Sequence, residues 1–440
     1  MRSLFGTDGI RGEAGRPPLD PATVARVGAA LAASLEGNGK PVVVVGCDTR
    51  VSSPGIVAAL AGGLVSGGAS VRFAGVVPTP AVAHLVRALS ADAGISVSAS
   101  HNPWPDNGIK IFSREGRKLP DAVEAAIERR IDDAVAVAPR EVPEEAGLAE
   151  LYESWLVGTL PCRLDGLKVV LDAANGAAWR VAPEAFRRAG AEVVPLAVTP
   201  DGRNINEGCG ALHPEAMARA VVAHGAHLGL ALDGDADRAM LADGTGRVLD
   251  GDDVLLLWAL ELEREGRKPA AVVGTVMSNW GLEARLAERG IRLVRANVGD
   301  RYVVEEMERH AAVLGGEQSG HLIRADLTTT GDGTLTGLHV AATVAATRVP
   351  LERGPRVERT PQVLVSFRVR ERVPFGEVPG FAGLLASAEE RIAGRGRILV
   401  RYSGTELKAR VMVEGTEKGA VEAIAGELAG ALRAAIGEPA

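Results

Sequence analysis

The chain has 440 residues, of which 46% are hydrophobic and 24% are charged, and its formal net charge is −7. This composition excludes a disordered chain, and the length is too great for one hydrophobic core. The mixed-sign charge gives no basic face for a nucleic acid, and no apolar run is long enough for a membrane span or a signal sequence. We therefore expect a cytoplasmic protein of several domains, with neither nucleic acid nor membrane as a partner.

A pattern of buried strand, turn, helix, glycine and second strand recurs three times, starting at Pro41, Leu167 and Pro269. Each copy opens with a β-branched run and continues with apolar residues at helical spacing. Such βαβ units place helices against mostly parallel strands. The sequence predicts three similar α/β domains with mostly parallel mixed sheets, and we assign them to residues 1–145, 146–250 and 251–357.

The last part of the chain has a different pattern. It follows a linker rich in proline and arginine, residues 348–361, and contains three apolar strands and a final amphipathic helix from about Glu417 to Ile436. Proline and glycine clusters of this kind separate folded units. We predict a smaller C-terminal α+β domain over residues 358–440.

The first polar cluster is the stretch "SASHNPWPDNGIK", which follows an apolar run ending at Val97. Ser100 lacks the flanking glycines of a hydrolase nucleophile elbow, and the adjacent His101 does not by itself make a catalytic triad. Two interpretations remain open: a serine that carries a reacting group, or an asparagine–proline turn with only local hydrogen bonds. Lys110 is close enough in sequence to supply a positive charge or a proton.

The second cluster is the alternation of Asp233, Asp235 and Asp237 directly after a predicted strand. In an extended chain this alternation places three carboxylates on one side, where their repulsion requires a cation. An EF-hand would need glycine and glutamate at the positions of Arg238 and Gly244, so that site is excluded. The pattern favours Mg²⁺ with a phosphate oxygen in its shell over a solvated acidic turn.

The third cluster, "GGEQSGHLI", places Glu317, Ser319 and His321 between glycines. Short donors and acceptors on a bendable backbone suit the neutral hydroxyls of a sugar. Glycine-flanked polar turns are common in proteins, so this stretch alone favours a structural turn.

The fourth cluster lies between the last two predicted strands. Arg401 can bind a phosphate through two parallel hydrogen bonds, and Arg410 returns toward the same ligand on the next strand. Ser403, Gly404 and Thr405 offer hydroxyls and turn N–H groups to an anion, with a surface hairpin as the alternative. The four clusters together predict phosphoryl transfer without a nucleotide, since no Walker A motif is present.

Five motifs occur in a fixed order along the chain: "FGTDGIRG", "SASHNPWPDNGIK", "DGDADR", "GEQSGH" and "RYSGTE". This ordered set resembles that of the α-D-phosphohexomutases and spans nearly the whole chain. The opening "LFGTDGIRG", Gln318 and the ending "RVMVEG" resemble the bacterial phosphoglucosamine mutases rather than phosphomannomutases or phosphoglucomutases. Leu407 departs from the family, which usually has proline after "SGTE".

The resemblance implies four domains, with a phosphorylated Ser100 in the first. It implies that Mg²⁺ is bound by Asp233, Asp235 and Asp237 together with the phosphate on Ser100. The sugar hydroxyls would contact Glu317 and Ser319. The remaining positions that match the family hold the non-reacting phosphate (Arg401, Ser403, Gly404, Thr405 and Arg410), lie near the transferring group (Arg11, Lys110, Arg238 and His321) or frame the serine (His101).

The activity implied by the resemblance is that of an isomerase, an intramolecular phosphotransferase that interconverts glucosamine 6-phosphate and glucosamine 1-phosphate. A phosphoserine enzyme and a hexosamine 1,6-bisphosphate, which is both intermediate and activator, would take part on the way to peptidoglycan amino sugars. A mutase for mannose or glucose phosphates and a non-catalytic sugar-phosphate sensor remain alternatives. The expected partner is a small sugar phosphate, and the protein is expected to be a monomer or a homodimer.

Overall fold

The computed structural model describes residues 4–6, 8–35, 39–403 and 407–438. Within these ranges the chain forms four β-sheets of five, five, four and three strands. No helix in the described ranges is long and apolar enough to cross a membrane. Among the described residues, three short 3₁₀ helices lie at Gly210–Leu212, Leu351–Arg353 and Phe375–Glu377.

The first sheet has the strand order β1-β5-β4-β2-β3, in which β2 pairs in parallel with β3 and β4 while β5 runs antiparallel to β4 and β1. The valine run at residues 42–45 forms β2, because β-branched side chains suit a strand buried on both faces. The elements in chain order are β1 (Ile10–Glu13), α1 (Pro21–Ser34), β2 (Val42–Cys47), α2 (Ser53–Ser66), β3 (Ser70–Val76), α3 (Thr79–Ala88), β4 (Ala93–Val97), β5 (Asp106–Ser113) and α4 (Asp121–Ile131).

The second sheet repeats this arrangement in the order β10-β9-β8-β6-β7, with β6 parallel to β7 and β8. Gly190 and Gly225 end two of its helices in the left-handed conformation that glycine adopts without steric cost. The elements are α5 (Leu148–Gly158), β6 (Lys168–Asp172), α6 (Val181–Ala189), β7 (Glu192–Leu196), α7 (Glu215–His224), β8 (Leu228–Leu232), β9 (Ala239–Asp243) and β10 (Val248–Leu249).

The third sheet has the order β12-β11-β13-β14, with β11 parallel to β12 and β13. Side chains of Asp250, Asn279 and Asp332 accept hydrogen bonds from backbone N–H groups in the first turns of its three capped helices. The elements are α8 (Gly251–Arg264), β11 (Ala271–Thr275), α9 (Trp280–Ala287), β12 (Arg292–Ala296), α10 (Asp300–Arg309), β13 (Leu314–Gly316), β14 (Leu322–Arg324) and α11 (Gly333–Thr347).

The fourth sheet is antiparallel, in the order β15-β17-β16, with both helices contributing to its own core. Its elements are β15 (Gln362–Arg368), α12 (Phe381–Ile392), β16 (Gly396–Tyr402), β17 (Lys408–Gly415) and α13 (Lys418–Ile436). The fold class predicted from the sequence is therefore confirmed, since three similar α/β units precede a smaller α+β unit. The exact domain boundaries at residues 145, 250 and 357 stay predictions.

The first three α/β units share buried apolar side chains, which fix their relative placement. One continuous cluster contains Val82 of α3, Phe186 of α6 and Trp258 of α8. Buried Tyr152 of α5 donates to Asp332 Oδ2 at the start of α11, at 2.6 Å. Residues that follow β4, β8 and β13 are thereby held around one common space.

Candidate active site

The Ser100 loop follows β4 and is held by a buried arginine. Ser100 has a φ of 53°, in the left-handed region that non-glycine residues adopt only when their surroundings enforce it. Arg50 donates to the carbonyls of Ser100 (3.1 Å), Asn102 (2.8 Å) and Pro103 (2.5 Å), and its Nε donates to Asp48 Oδ2 at 2.8 Å. The guanidinium thus holds three carbonyls of one loop and fixes where Ser100 points.

The Ser100 hydroxyl is directed across the boundary to the second sheet. Its Oγ donates to Asp233 Oδ2 at 2.5 Å, and its backbone N–H donates to Ser98 Oγ at 3.0 Å. Nδ1 of His101 lies 3.4 Å from the same Oγ, and burial, together with the charge of Arg238, lowers the pKa of His101. Ser100 is 1% exposed, so the hydroxyl faces a protein-lined site rather than solvent.

The three aspartates that follow β8 converge because the chain turns. Carboxylate oxygens of Asp233, Asp235 and Asp237 lie within 4.8 Å of one another. The Asp233 carbonyl accepts a hydrogen bond from the Ala236 N–H at 2.9 Å, and Ala236 has a φ of 58°. The extended chain assumed from the alternation is therefore wrong at this point, although the carboxylates do meet.

The aspartate cluster fits a divalent cation. Oδ1 of Asp235 and Oδ1 of Asp237 are buried without a hydrogen-bond partner, and hard cations such as Mg²⁺ prefer oxygen ligands. Burial and the charges of Asp235 and Asp237 raise the pKa of Asp233 well above its usual range. A bound cation would satisfy the unpartnered oxygens and reduce this repulsion.

Lys110 of β5 supplies positive charge to the same cluster. Its Nζ donates to Asp235 Oδ2 at 2.7 Å and to Asp237 Oδ2 at 3.0 Å. Burial alone would lower the pKa of Lys110, but the carboxylates of Asp235, Asp237 and Asp8 hold it well above its usual range. The lysine therefore carries its charge beside two of the three carboxylates.

Two arginines lie at the edges of the cluster. Arg11 donates to the Ala99 carbonyl at 3.2 Å and pairs with Asp8. The Arg238 N–H donates to Asp233 Oδ1 at 3.1 Å, while its guanidinium Nε lies 3.8 Å from Asp237 Oδ1. Arg11 thus places positive charge beside the Ser100 loop, and Arg238 places it beside the aspartate cluster.

His321, which immediately precedes β14, is oriented by its backbone surroundings. Its Nε2 accepts a hydrogen bond from the Gly331 N–H at 3.1 Å, and its Nδ1 lies 3.7 Å from Asp237 Oδ1. Burial would lower the pKa of His321, but the nearby carboxylates of Asp237 and Asp300 raise it overall. The imidazole therefore presents Nδ1 to the aspartate cluster.

Glu317 and Ser319 occupy the turn between β13 and β14. The turn is closed by a hydrogen bond from the Gly320 N–H to the Glu317 carbonyl at 3.0 Å. Glu317 Oε1 accepts from the Gly299 N–H at 2.9 Å, and its Oε2 accepts from Ser319 Oγ at 3.3 Å. The turn thus presents a carboxylate and a hydroxyl beside His321.

A cavity of about 470 Å³, a size within the range of small-molecule sites, is lined by some of these groups, whereas Ser100, Lys110, Asp233, Asp235 and Ser319 are not among its lining residues. A larger cavity of about 660 Å³ between α5 and α6 is lined by none of the predicted site residues, so chemistry rather than size identifies the site. The predicted site residues in the wall of the smaller cavity are Arg11, His101, Asp237, Arg238, Glu317 and His321.

The predicted phosphate residues lie apart, on the hairpin of β16 and β17. Arg401 and Arg410 are opposite each other in register, and burial together with the charge of Arg410 lowers the pKa of Arg401. The Ser403 N–H donates to the Lys408 carbonyl at 2.8 Å. Gly404 and Thr405 lie outside the described residues, and the cavity beside Ser100 is lined by described residues of the first three units only.

Several site residues were missed in the sequence. Asp8 lies in the quoted opening motif, while Asp48 and Arg50 follow β2 at the same sheet edge as Ser100. Their position after a parallel strand is a signal that could have found them. Asp300 and Lys118 carry no comparable local signal.

Known proteins match the chain along its whole length. Four family descriptions cover it: Phosphoglucomutase/phosphomannomutase, alpha/beta/alpha domain I (residues 2–137), domain II (156–246) and domain III (250–355), and the C-terminal domain (364–431). A curated phosphoglucosamine mutase of Anaeromyxobacter dehalogenans is 48% identical, with 99% of this chain and 100% of the relative aligned. The chain belongs to the phosphoglucomutase/phosphomannomutase family.

Other relatives agree with this membership. A phosphoglucosamine mutase of Solibacter usitatus is 49% identical over 96% of both chains. The X-ray structure of a phosphoglucomutase/phosphomannomutase family protein from Burkholderia thailandensis superimposes with a TM-score of 0.81 at 27% identity, covering 99% of this chain and 98% of that one. As a family member the protein is a phosphohexomutase, an isomerase whose buried aspartates suit a divalent metal.

Proposed function

We propose that this phosphohexomutase interconverts glucosamine 6-phosphate and glucosamine 1-phosphate. One structural observation supports phosphoryl transfer as the reaction type. Ser100 Oγ lies 2.5 Å from Oδ2 of Asp233, which belongs to the aspartate cluster. The sugar is inferred from relatives named phosphoglucosamine mutase that are 48% and 49% identical to the chain. We further propose that this reaction takes place in the cytoplasm, as expected from the sequence.

Ser100 is proposed to carry the phosphoryl group. In the first half of the reaction, the bond from phosphorus to Ser100 Oγ breaks and a bond to the 1-hydroxyl oxygen of the sugar forms, while the hydroxyl proton passes to a base. Ser100 Oγ takes up a proton as it leaves. The resulting glucosamine 1,6-bisphosphate then reorients in the cavity, so that its 6-phosphate takes the place of its 1-phosphate. In the second half, the 6-phosphoryl group returns to Ser100 Oγ, which gives up that proton, and a proton is restored to the 6-oxygen, so atoms and charge balance.

The metal-holding residues would be Asp233, Asp235 and Asp237. When bound, Mg²⁺ would offset the negative charge that develops on the transferring phosphoryl group. Lys110 and Arg238 would add fixed positive charge beside the buried carboxylates of Asp233 and Asp237. His101 and Arg50 hold the serine loop in the orientation that this transfer requires.

The substrate-holding residues would act at two separated places. Glu317 and Ser319 present acceptors and donors that suit sugar hydroxyls. Arg401, Ser403 and Arg410, together with Gly404 and Thr405 of the same sequence motif, would bind whichever phosphate is not reacting. Because that hairpin holds only phosphate, the sugar can reverse between the two halves of the reaction without losing its anchor.

The proposal is tested by measuring 1-phosphate formation from glucosamine, mannose and glucose 6-phosphates with Mg²⁺ and a catalytic amount of the matching bisphosphate. Glucosamine 6-phosphate should give the highest kcat/KM. A preference for mannose or glucose phosphate would assign the chain to the alternative mutases. Tight binding without product from any sugar would show a sensor.

Ser100→Ala is the decisive variant. It removes the hydroxyl that accepts and returns the phosphoryl group, while Glu317, Ser319 and Arg401 remain in other domains. Turnover should nearly vanish, and calorimetry should give a dissociation constant for glucosamine 6-phosphate close to that of the unchanged protein. Mass spectrometry should find phosphate on Ser100 and not on Ser98; turnover near the wild-type rate would place the chemistry elsewhere.

A further inference from the structure

An ion cluster that the mechanism above does not use lies where the first and third α/β units meet. The ammonium of Lys118 contacts Asp8 of the first unit and Asp300, the first residue of α10. The exposed fractions of the three side chains are 14%, 29% and 15%, so their charges are largely withdrawn from water. Interactions among such charges are screened less than those on the surface.

On the side of the first unit, Asp8 contacts the groups beside the aspartate cluster. It pairs with Arg11, and its Oδ2 lies 3.6 Å from Lys110 Nζ. Burial alone would raise the pKa of Asp8, but Lys110, Lys118 and Arg11 hold it far below its usual range. Asp8 therefore links Lys118 to both cations near Ser100.

On the side of the third unit, Asp300 contacts the sugar-binding side of the cavity. Its Oδ2 lies 3.8 Å from His321 Nε2. The preceding N–H group, that of Gly299, donates to Glu317 Oε1 at 2.9 Å. The position of Asp300 is thus coupled to both His321 and the turn of Glu317 and Ser319, which we call the sugar turn.

The backbone of Lys118 belongs firmly to the first unit. It pairs with Phe112 in an antiparallel bridge, and the Ser113 N–H donates to the Arg117 carbonyl at 2.8 Å. Strand β5, which carries Lys110, therefore also fixes the start of the segment that carries Lys118. A shift of Asp300 relative to Lys118 is a shift of the sugar turn relative to Lys110.

We propose that Lys118 is a positioning residue that sets the separation between the phosphoryl-transfer groups of the first unit and the sugar turn of the third. This inference rests on the proposed mutase function. Without the ammonium, the carboxylates of Asp8 and Asp300 lose their common counterion. Their negative charges then repel each other with little screening by solvent. A displacement of reacting groups by about 1 Å can cost about 100-fold in rate.

The test compares Lys118→Met with a control at the neighbouring residue. Arg117 pairs with Glu308 across the same boundary, but 43% and 59% of these side chains are exposed, and neither lines the cavity beside Ser100. Lys118→Met should lower kcat/KM for glucosamine 6-phosphate roughly 10- to 100-fold, with a lower kcat and a higher KM. Arg117→Ala should leave both within about twofold, because exposed ion pairs contribute little.

Two further readouts separate positioning from simple loss of stability. Lys118→Arg keeps a cation between the carboxylates and should recover most of the activity. Phosphate occupancy of Ser100 and Mg²⁺ binding in Lys118→Met should match the unchanged protein, because Lys118 contacts neither Ser100 nor the aspartate cluster. In an Asp300→Asn background, Lys118→Met should cost about tenfold less than it does alone, since the two residues act through one contact.

The inference is overturned if Lys118→Met behaves like Arg117→Ala, or if its effect adds fully to that of Asp300→Asn. If Lys118→Met does not fold, Asp300→Asn breaks the same contact from the other side and must reproduce the loss of kcat. A wild-type protein inactive on glucosamine 6-phosphate would instead refute the proposed function. The two failures are therefore distinguishable.

Discussion

Arg50 illustrates how one buried side chain determines the geometry of a reacting group. Its planar guanidinium donates in several fixed directions, which lets it bind three carbonyls of the serine loop and the carboxylate of Asp48 at once. A lysine carries the same charge at a single point. The left-handed backbone of Ser100 therefore depends on the shape of the arginine as well as on its charge.

Arg50→Lys should lower kcat about 10- to 100-fold, because the loop that is proposed to carry the phosphoryl group loses its fixed orientation. KM for the sugar phosphate should change little, since Glu317 and Arg401 lie in other domains. Steady-state kinetics measures both constants. Arg72→Lys is the matched control, because Arg72 pairs with Glu145 in a partly exposed contact and should stay within about twofold.

Equal kinetic effects at Arg50 and Arg72 would contradict this role. At the scale of single residues, part of the site was predictable from the sequence and part was not. The three aspartates were predicted from their residue type and spacing, whereas the role of Ser100 followed only from the resemblance to the phosphohexomutases. Arg50 was missed although it follows strand β2, and its three contacts with the serine loop join residues 50 to 53 positions apart, which no local pattern displays.

Helix α11 begins at a buried acid whose protonation affects stability. Asp332 accepts from the Leu335 N–H at 2.9 Å and from Tyr152 Oη at 2.6 Å. Burial outweighs these hydrogen bonds and raises the pKa of Asp332 from 3.8 to about 6. The folded state therefore binds its proton more tightly than the unfolded state, and ionisation of this group destabilises the fold.

The sign of the effect follows from the direction of the shift. Stability contributed by protonated Asp332 is present below the unfolded pKa of 3.8 and is lost as the pH rises through about 6, a total of about 1–3 kcal/mol. Asp332→Asn keeps an oxygen for the helix cap and removes the titration. Denaturant unfolding should show the variant gaining stability relative to wild type between pH 4 and pH 7.

Asp326→Asn provides a control of opposite sign. Burial would raise the pKa of Asp326, but Arg324 and Arg267 lower it overall. Its contribution to stability is present above the unfolded pKa and is lost as the pH falls, so this variant should lose stability relative to wild type on going from acid to neutral pH. The same trend in both variants would refute the assignment at Asp332.

The elements themselves were largely predictable. Strand β2, helix α2 and strand β3 follow the βαβ pattern that starts at Pro41, because β-branched runs and helical spacing are local properties. The turn at residues 233–238 was not predictable in the same way. Its left-handed residue is Ala236, which has no local preference for that conformation, so surrounding contacts must impose it.

At the scale of the whole molecule, the fourth unit joins the others through polar contacts near the N-terminus of α9. Arg397 donates to the carbonyls of Val276 at 2.7 Å and Ser278 at 3.0 Å, while Asn279 donates to Glu414 at 3.4 Å. The unit also has an apolar core of its own. Sequence patterns predicted its α+β class, but its placement depends on partners more than 100 positions apart and could not be predicted.

This separate attachment leads to the last prediction, which concerns Arg401. If the β16–β17 hairpin binds only the idle phosphate, Arg401→Lys should raise KM about tenfold, because a point charge replaces a planar fork. The increase should be the same for glucosamine, glucose and mannose phosphates, since no sugar ring contacts this hairpin. Glu317→Gln is the contrasting variant, and its effect should differ between sugars because it changes a group that is proposed to hold ring hydroxyls. Kinetics with all three substrates measures both patterns. An Arg401→Lys effect confined to one sugar would mean that the hairpin contacts the sugar ring. The proposed separation between phosphate binding in the fourth unit and sugar binding in the third would then be wrong.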